Sequence, residues 1–509
     1  MSSFNLDHSA DSSSLRPRSG LPILIAIAGA QVILHLATNS RYGFHRDELQ
    51  FLWDARHLDW GFVPYPPFTA FVEHVSLSLF GLSLVGLRLF SVLCQAVAIV
   101  FTGLTARDLG GNRWAQAAAA FAVALSPLPL FNGTEFQYTS FDFLWWVLIA
   151  YFTVRLLTTE NPRWWLAIGA VIGLGLETKY AIVFFVAGLI GGMLLTRARR
   201  YFVSRWFWAG VGVALLIFLP NLLWLAHHDF ISYTFLQHIH ARDVAIGRAN
   251  GFFVDQLRIC INTAAVPVAL IGLIAFLRSR RYRMLAWMWI IPVALLFVAK
   301  GRGYYTSGVY PMVLAMGAAT CQRWLASLPA LARRSIASVY FAGVAAVGAY
   351  VIAFVIPLAP SGPLRDFALS HNGDLREEFG WNELVSTVGA IRDSLPPEQQ
   401  SHLGISVQNY GEAGAIDSLG QAYHLPPPIS TVNSGWLRGY PTPPPTTFIV
   451  LGLGREEADS IFTGCRWAGH NGNAEGIRNE ESVDHPDIFV CGPPRLSWPE
   501  FWKRHHDFG

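Results

Sequence analysis

Apolar stretches recur along this chain from Leu21 to Leu358, and that recurrence limits what it can fold into more than any single motif does. A helix needs about 20 apolar residues to cross the hydrocarbon layer, and its backbone must satisfy itself there. Eleven spans are expected: Leu21–Thr38, Leu84–Ala106, Trp114–Phe131, Phe141–Leu157, Trp164–Leu176, Tyr180–Leu195, Trp206–Ala226, Cys260–Leu277, Met284–Ala299, Val309–Ala326 and Ile336–Leu358. As one helix, the run from Trp164 to Leu195 would be about 48 Å long, too long for one crossing. Glu177 and Lys179 lie at its middle, so a hairpin with that pair at its tip is expected. Hydrophobic residues make up 52% of the 509 and charged residues only 14%, which excludes an ordinary soluble chain. A net charge of +3 gives no reason to expect nucleic acid, and membrane lipids are the expected surroundings.

Arginine sets the orientation. Arg16, Arg18, Arg107, Arg113, Arg163, the RARR run with Arg205, the RSRRYR run, Arg333 and Arg334 fall on one set of connections. All of these except the N-terminal tail are short, and by the positive-inside rule they are cytoplasmic. The chain then reads as a multi-pass protein of the plasma (inner) membrane. Residues 1–20 form a disordered cytoplasmic tail, and the loops 39–83 and 227–259 face outward. Leu21–Thr38 lacks a small-residue cleavage pattern and reads as a retained helix, with a cleaved signal as the alternative.

After Leu358 the composition changes. WNELVSTVGAIRDSLP has helical spacing, LGISVQNY and TTFIVLGLG read as strands with GEAGAIDSLGQAY as a helix between them, and DIFVCGPP is a late strand. Residues 359–509 are therefore expected to form an extracytoplasmic α/β domain. Cys465 and Cys491 are the only cysteines outside the expected spans, and an oxidising exterior would let them close a disulfide.

The loop after the first span carries Arg41 to Phe68, RYGFHRDELQFLWDARHLDWGFVPYPPF. Adjacent carboxylates, Asp47 and Glu48, beside His45 and Arg46 are costly at a membrane boundary unless they pair or do chemistry. As solvated loop charges they would pair with Arg41 and Arg46. As catalytic groups, one of them would take the proton from an acceptor hydroxyl attacking an activated sugar.

The order HRDELQFLWDARHLDWGFVPYPPF, TEFQYTSFDFLWW, GLGLETKYAIVFF, LPNLLWLAHHDF and KGRGYYTSGVYP, over about 21–358, resembles the GT-C glycosyltransferases of the protein mannosyltransferase and aminoarabinose transferase type. YGEAGAIDSLGQAYHLP and NEESVDHPDIFVCGPP look like the exterior tail of the bacterial members. The resemblance implies an α-helical polytopic GT-C-like fold with a catalytic domain over 21–358. It also implies inverting transfer of a sugar from a polyprenyl-phosphate carrier to a lipid, glycan or protein acceptor on the far side of the membrane. In that family an acid in the first exterior loop is catalytic. RDEL puts Asp47 in the role, with Glu48 as neighbour or substitute. Pro66 and Pro67 match the family's PP, but Tyr65 stands where relatives often carry Lys or His, which puts a donor-phosphate contact from that position in doubt.

A phosphate leaving group calls for cations, since charge developing on departure is stabilised by them. Arg88, Lys179, Arg242, Lys300 and Arg302 are the candidates at outer ends of spans. Lys179 matches the TK of relatives, and Lys300 and Arg302 with Tyr304 and Tyr305 match a loop that approaches the donor there. The plainer readings are snorkelling for Arg88, an ion pair with Glu177 for Lys179, and interfacial anchoring for the tyrosines. His227, His228, His238 and His240 cluster with Asp229 and Asp243, but no cysteine joins them and no metal is expected. They read as loop or interface residues, among which His227 or His228 is able to hydrogen-bond a sugar or phosphate. Glu135 and Asp142 flank the second exterior loop, where Asp142 caps a helix or positions the acceptor. No GxxxxGKS or GxxxxGKT phosphate loop is present. The rivals are a transporter or flippase for a lipid-linked sugar, which would favour broken mid-membrane helices and repeated halves, and a non-catalytic scaffold.

Overall fold

The structure is a computed structural model that describes residues 20–508, so the expected disordered tail lies outside the described residues, Gly20 excepted. The chain forms two compact units. One holds the residues up to Thr38 together with Arg88–Trp224 and His240–Ile356; the other holds Asn39–Leu87, Leu225–Ile239 and Pro357–Gly509.

The first unit is helical. Each expected stretch carries a helix, and several match to within a residue or two, among them Leu21–Thr38, Trp164–Leu176 and Tyr310–Leu325. The hairpin at Glu177 separates Trp164–Leu176 from Ile182–Leu194. The stretch Trp114–Phe131 breaks into Arg113–Ala124 and Pro127–Phe131. Its cause is local: a residue before proline is pushed out of the helical region, and Ser126 sits at φ −83°, ψ 146° ahead of Pro127. Among the described residues five helices are able, by length and composition, to cross a membrane: Leu21–Thr38, Leu84–Asp108, Tyr138–Thr159, Arg205–His227 and Ala330–Val355. Two bent pairs, Ile182–Leu194 with Arg197–Val203 and Phe252–Arg258 with Thr263–Arg278, raise that to seven.

Small residues set helix spacing here, as expected where lipid leaves packing rather than water exclusion to drive association. A Cβ added at Gly272 would lie 1.9 Å from the Val313 carbonyl oxygen, and one at Gly317 would lie 1.9 Å from that of Val268. The helices Val266–Arg278 and Tyr310–Leu325 therefore meet backbone to backbone.

The second unit is built on a five-stranded sheet of order β2-β1-β3-β5-β4. Its strands are β1 (Leu403–Val407), β2 (Pro428–Ser430), β3 (Thr447–Val450), β4 (Arg466–His470) and β5 (Asp487–Cys491). β1 runs parallel to β2 and β3, and β5 runs antiparallel to β3 and β4. Both faces are covered, and the period of two along a strand sorts the side chains. Ile449, Ile488 and Val490 join one core, while Phe448, Val450 and Phe489 join the other. The helices Trp381–Asp393 and Tyr410–Leu419 fill the first core. Helix Arg46–Arg56 of the early loop does so as well, through Leu49, Leu52 and Trp53. The compact unit thus takes in Asn39–Leu87 and Leu225–Ile239 as well as the tail. Cys465 and Cys491 are disulfide-bonded.

Candidate active site

Asp47 and Glu48 occupy the first turn of helix Arg46–Arg56, where unsatisfied backbone N–H groups favour negative charge. His45 is the N-cap, and its Nδ1 accepts the Asp47 N–H at 3.1 Å. Glu48 Oε2 accepts the His45 N–H at 2.8 Å, completing a capping box, and the Glu48 side chain is fully buried. Asp47 is only half-buried, and its Oδ1 accepts the Tyr410 hydroxyl at 3.1 Å. Two neighbouring acids are thus separated by one step of helical rotation: one closes the helix end, the other stands beside a phenol. Arg46 pairs with Glu480 at 2.5 Å and Glu481 at 3.7 Å, and its guanidinium lies 5.2 Å from the Tyr410 ring centre.

Further along the same helix, Asp54 is held by Arg438 on one oxygen and by the Tyr65 hydroxyl on the other. Burial lifts the Asp54 carboxyl above its usual range, against the pull of Arg438 and the Tyr65 hydrogen bond. Arg438 also lies 4.0 Å from the centre of the Trp53 ring. Tyr65 is therefore turned into the protein, with 3% exposure and its hydroxyl on a carboxylate, and does not present itself as a donor contact. His227 is exposed and packs edge-on against His228 at 5.2 Å, and the His238 ring lies 5.6 Å from Phe508. Among the described residues no group of three or more His, Cys, Asp or Glu side chains is suited to a metal ion.

The first unit holds a small, partly open pocket whose lining includes Asp142, Trp146, Lys179, Tyr304, Tyr305 and Ser307. Lys179 is not paired with Glu177. Its ammonium sits 3.9 Å from the Tyr305 ring centre, 4.8 Å from that of Tyr138 and 5.9 Å from that of Tyr304. Aromatic faces stabilise the charge without neutralising it, so the cation keeps its attraction for an anion. Asp142 accepts the Trp146 indole N–H at 3.1 Å. It lies a turn inside helix Tyr138–Thr159, whose N-cap is Gln137, so the expected capping role does not apply.

Arg302 grips Asp243 through a two-pronged contact, Nε at 2.6 Å and Nη2 at 2.9 Å. Arg248 at 3.6 Å and Arg242 at 4.0 Å face the same carboxylate. Three arginines around one aspartate leave net positive charge, with Arg302 held in place. Asp243 is the anchor that the sequence left unassigned; its RDVAIGR context, basic on both sides, was the available signal. Lys300 is exposed at φ 50°, just past helix Arg283–Val298, and Arg88 and Glu135 are buried at 0% and 3% exposure. Arg88 is thus enclosed rather than snorkelling.

Residues 64–224 match the dolichyl-phosphate-mannose-protein mannosyltransferase family. The lipid A galacturonosyltransferase RgtD of Rhizobium johnstonii is 29% identical over 56% of this chain and 61% of its own length. An undecaprenyl phosphate-alpha-4-amino-4-deoxy-L-arabinose arabinosyl transferase of Pseudomonas fluorescens is 27% identical over 59% of each chain. The chain thus spans about three fifths of the length of these curated relatives. The crystal structure of ArnT from Cupriavidus metallidurans in the apo state aligns with a TM-score of 0.58 at 13% identity, covering 92% of this chain and 97% of that one. The form bound to undecaprenyl phosphate gives 0.53 at 15% identity, over 93% and 98%. The chain is thus similar in sequence to glycosyltransferases that carry these names, over residues 64–224 for the family model and over a little more than half its length for the relatives, and it shares its fold with ArnT over nearly its whole length.

Proposed function

We propose that the chain is an inverting glycosyltransferase that moves a sugar from a polyprenyl-phosphate donor to an acceptor hydroxyl on the extracytoplasmic side of the membrane. The observation that carries this is the Asp47 carboxylate, half-buried at a helix N-terminus and hydrogen-bonded by Tyr410. In the reaction the acceptor oxygen bonds to the anomeric carbon as its proton passes to Asp47. The bond from that carbon to the phosphate oxygen breaks, and its electron pair leaves with the polyprenyl phosphate. Lys179 in its tyrosine cage and Arg302 on Asp243 are the groups we assign to the phosphate, with Lys300, Arg242 and Arg88 as further cations. Asp142, in the same cavity as Lys179, is assigned to orienting substrate hydroxyls.

The relatives named above act on lipid A and on undecaprenyl-phosphate-linked aminoarabinose, which favours an envelope glycolipid as acceptor here. Eleven crossings with a cytoplasmic N-terminus would put residues 359–509 outside, and a disulfide there suits an oxidising compartment.

The test is transfer by purified protein in vesicles containing a polyprenyl-phosphate sugar. Asp47→Asn is expected to lower the rate by roughly 10²-fold or more, the scale of a lost general base. Undiminished transfer would remove Asp47 from the chemistry. Movement of the lipid-linked sugar between leaflets with no transfer at all would favour the flippase.

A further inference from the structure

Resting on the assignment of Asp47 as the base, we infer that Tyr410, supplied by the sheet-bearing tail, is the positioning residue for that carboxylate. The tail would then complete the catalytic acid. The geometry is specific. The Tyr410 hydroxyl donates to Asp47 Oδ1 at 3.1 Å. Tyr410 opens helix Tyr410–Leu419, whose N-cap Asn409 accepts the Gly411 N–H at 2.6 Å, so the phenol projects from a fixed helix end. Burial, and then the charge of Asp47, hold that phenol well above its ordinary range; it stays protonated and acts only as a donor toward the carboxylate.

Two further contacts fix the register between the helices. A Cβ at Gly414 would fall 2.0 Å from the Leu49 carbonyl oxygen, and one at Gly411 would fall 2.5 Å from Arg46 Cγ. The GEAG sequence therefore lets the tail helix lie directly on the backbone of the catalytic helix. Arg46, stacked at 5.2 Å from the Tyr410 ring and tied to Glu480 and Glu481, clamps the other side. A hydroxyl at this place selects one orientation of Asp47 and favours its charged form, the form a base requires.

The charged and titratable groups around the pair are His45, Arg46 and Glu48 on the catalytic helix and its cap, and Glu412 on the Tyr410 helix. Glu377, Glu480 and Glu481 approach from the tail. Burial holds the Glu412 and Glu481 carboxyls at about 8 and that of Glu377 at about 7, so these act toward neutral pH and above. The decisive readout is therefore the acid limb of the kcat/KM profile, compared between wild type and variant.

Tyr410→Phe keeps the ring and removes one oxygen. Its acid limb should move to higher pH by about one unit, the scale of a hydrogen bond to a charged group, with about a tenfold loss below the limb and an unfolding midpoint near that of wild type. Replacing Tyr410 with 3-fluorotyrosine, a stronger donor of nearly the same size, should move the limb to lower pH. Asp47→Asn, measured in parallel, separates the two ideas. If Asp47→Asn retains transfer, the assignment of the base fails and takes this inference with it. If Asp47→Asn is inactive while both Tyr410 variants keep the wild-type profile, the inference alone is wrong. An activity loss in Tyr410→Phe with an unmoved limb, or a Tyr410→Phe that does not fold and a fluorotyrosine protein whose limb stays in place, also overturns it.

Discussion

One turn of helix gives two adjacent acids different work. The sequence put Asp47 first only by resemblance, with Glu48 as neighbour or substitute, because nothing in RDEL says which side chain bends back to the N-cap. The capping box tells them apart: Glu48 holds the His45 N–H, and Asp47 accepts the Tyr410 hydroxyl. Glu48→Gln keeps an acceptor for that N–H and should retain transfer within a few-fold. Glu48→Ala should lower unfolding stability by about 1 kcal/mol, the usual cost of a lost cap, as read from a melting curve. Loss of transfer in Glu48→Gln at intact stability would instead make Glu48 the base. A second residue-scale prediction concerns Glu412, a buried carboxyl on the Tyr410 helix that only the backbone of Gln408 and Asn409 draws downward. Burial raises its carboxyl from 4.5 to about 8. Between those values the unfolded chain has released the proton and the folded chain has not, so stability falls as pH rises, by up to ~1.4 kcal/mol per unit. Glu412→Gln should therefore gain on wild type when the melt is run at pH 8 and show little difference below the ordinary carboxylate range.

Elements were easier to read than contacts, and the reason is periodicity. A long apolar run has few alternatives, so Leu21–Thr38 and Trp164–Leu176 were visible to the residue. The break at Ser126 rested on one proline, and the short strands β2 and β4 lacked both length and alternation. What periodicity cannot show is which helix lies on which. Helix Arg46–Arg56 looked like part of an interfacial loop, yet Leu49, Leu52 and Trp53 belong to the core of the tail's sheet. Asp54 with Arg438, and Asp47 with Tyr410, join residues more than 360 positions apart, and no local signal links them. Gly414 is the tightest point of that docking. Gly414→Leu forces a side chain against the Leu49 carbonyl and should cost 1–3 kcal/mol or more by the usual scale of overpacking. Thermal unfolding of the full chain checks the cost, and transfer activity should fall with it. A Gly414→Leu protein with wild-type melting would mean that the two helices are not docked as described.

At the scale of the whole molecule, charge bears on sidedness. On the proposed topology the short connections rich in arginine would face the cytoplasm, and an odd number of crossings would then carry the tail to the other side. Among the described residues five helices meet the crossing criterion by themselves, or seven with each bent pair taken as one span, so the expected count of eleven relies on shorter helices such as Trp164–Leu176 and Arg283–Val298. The disulfide is independent of that count, because an oxidising compartment is needed to keep it. Cys465 and Cys491 enclose a 26-residue separation, for which loss of the link in a Cys465→Ser, Cys491→Ser protein should cost roughly 3 kcal/mol. The sidedness itself is checked in bacterial cells by a reporter fused after residue 509. Alkaline phosphatase, which needs the oxidising side, should be active there, and a fluorescent protein that matures only in the cytoplasm should stay dark. The opposite pattern would put residues 359–509 in the cytoplasm. It would move the Tyr410–Asp47 pair with them, since both belong to one compact unit, and would end the proposal of an extracytoplasmic transferase.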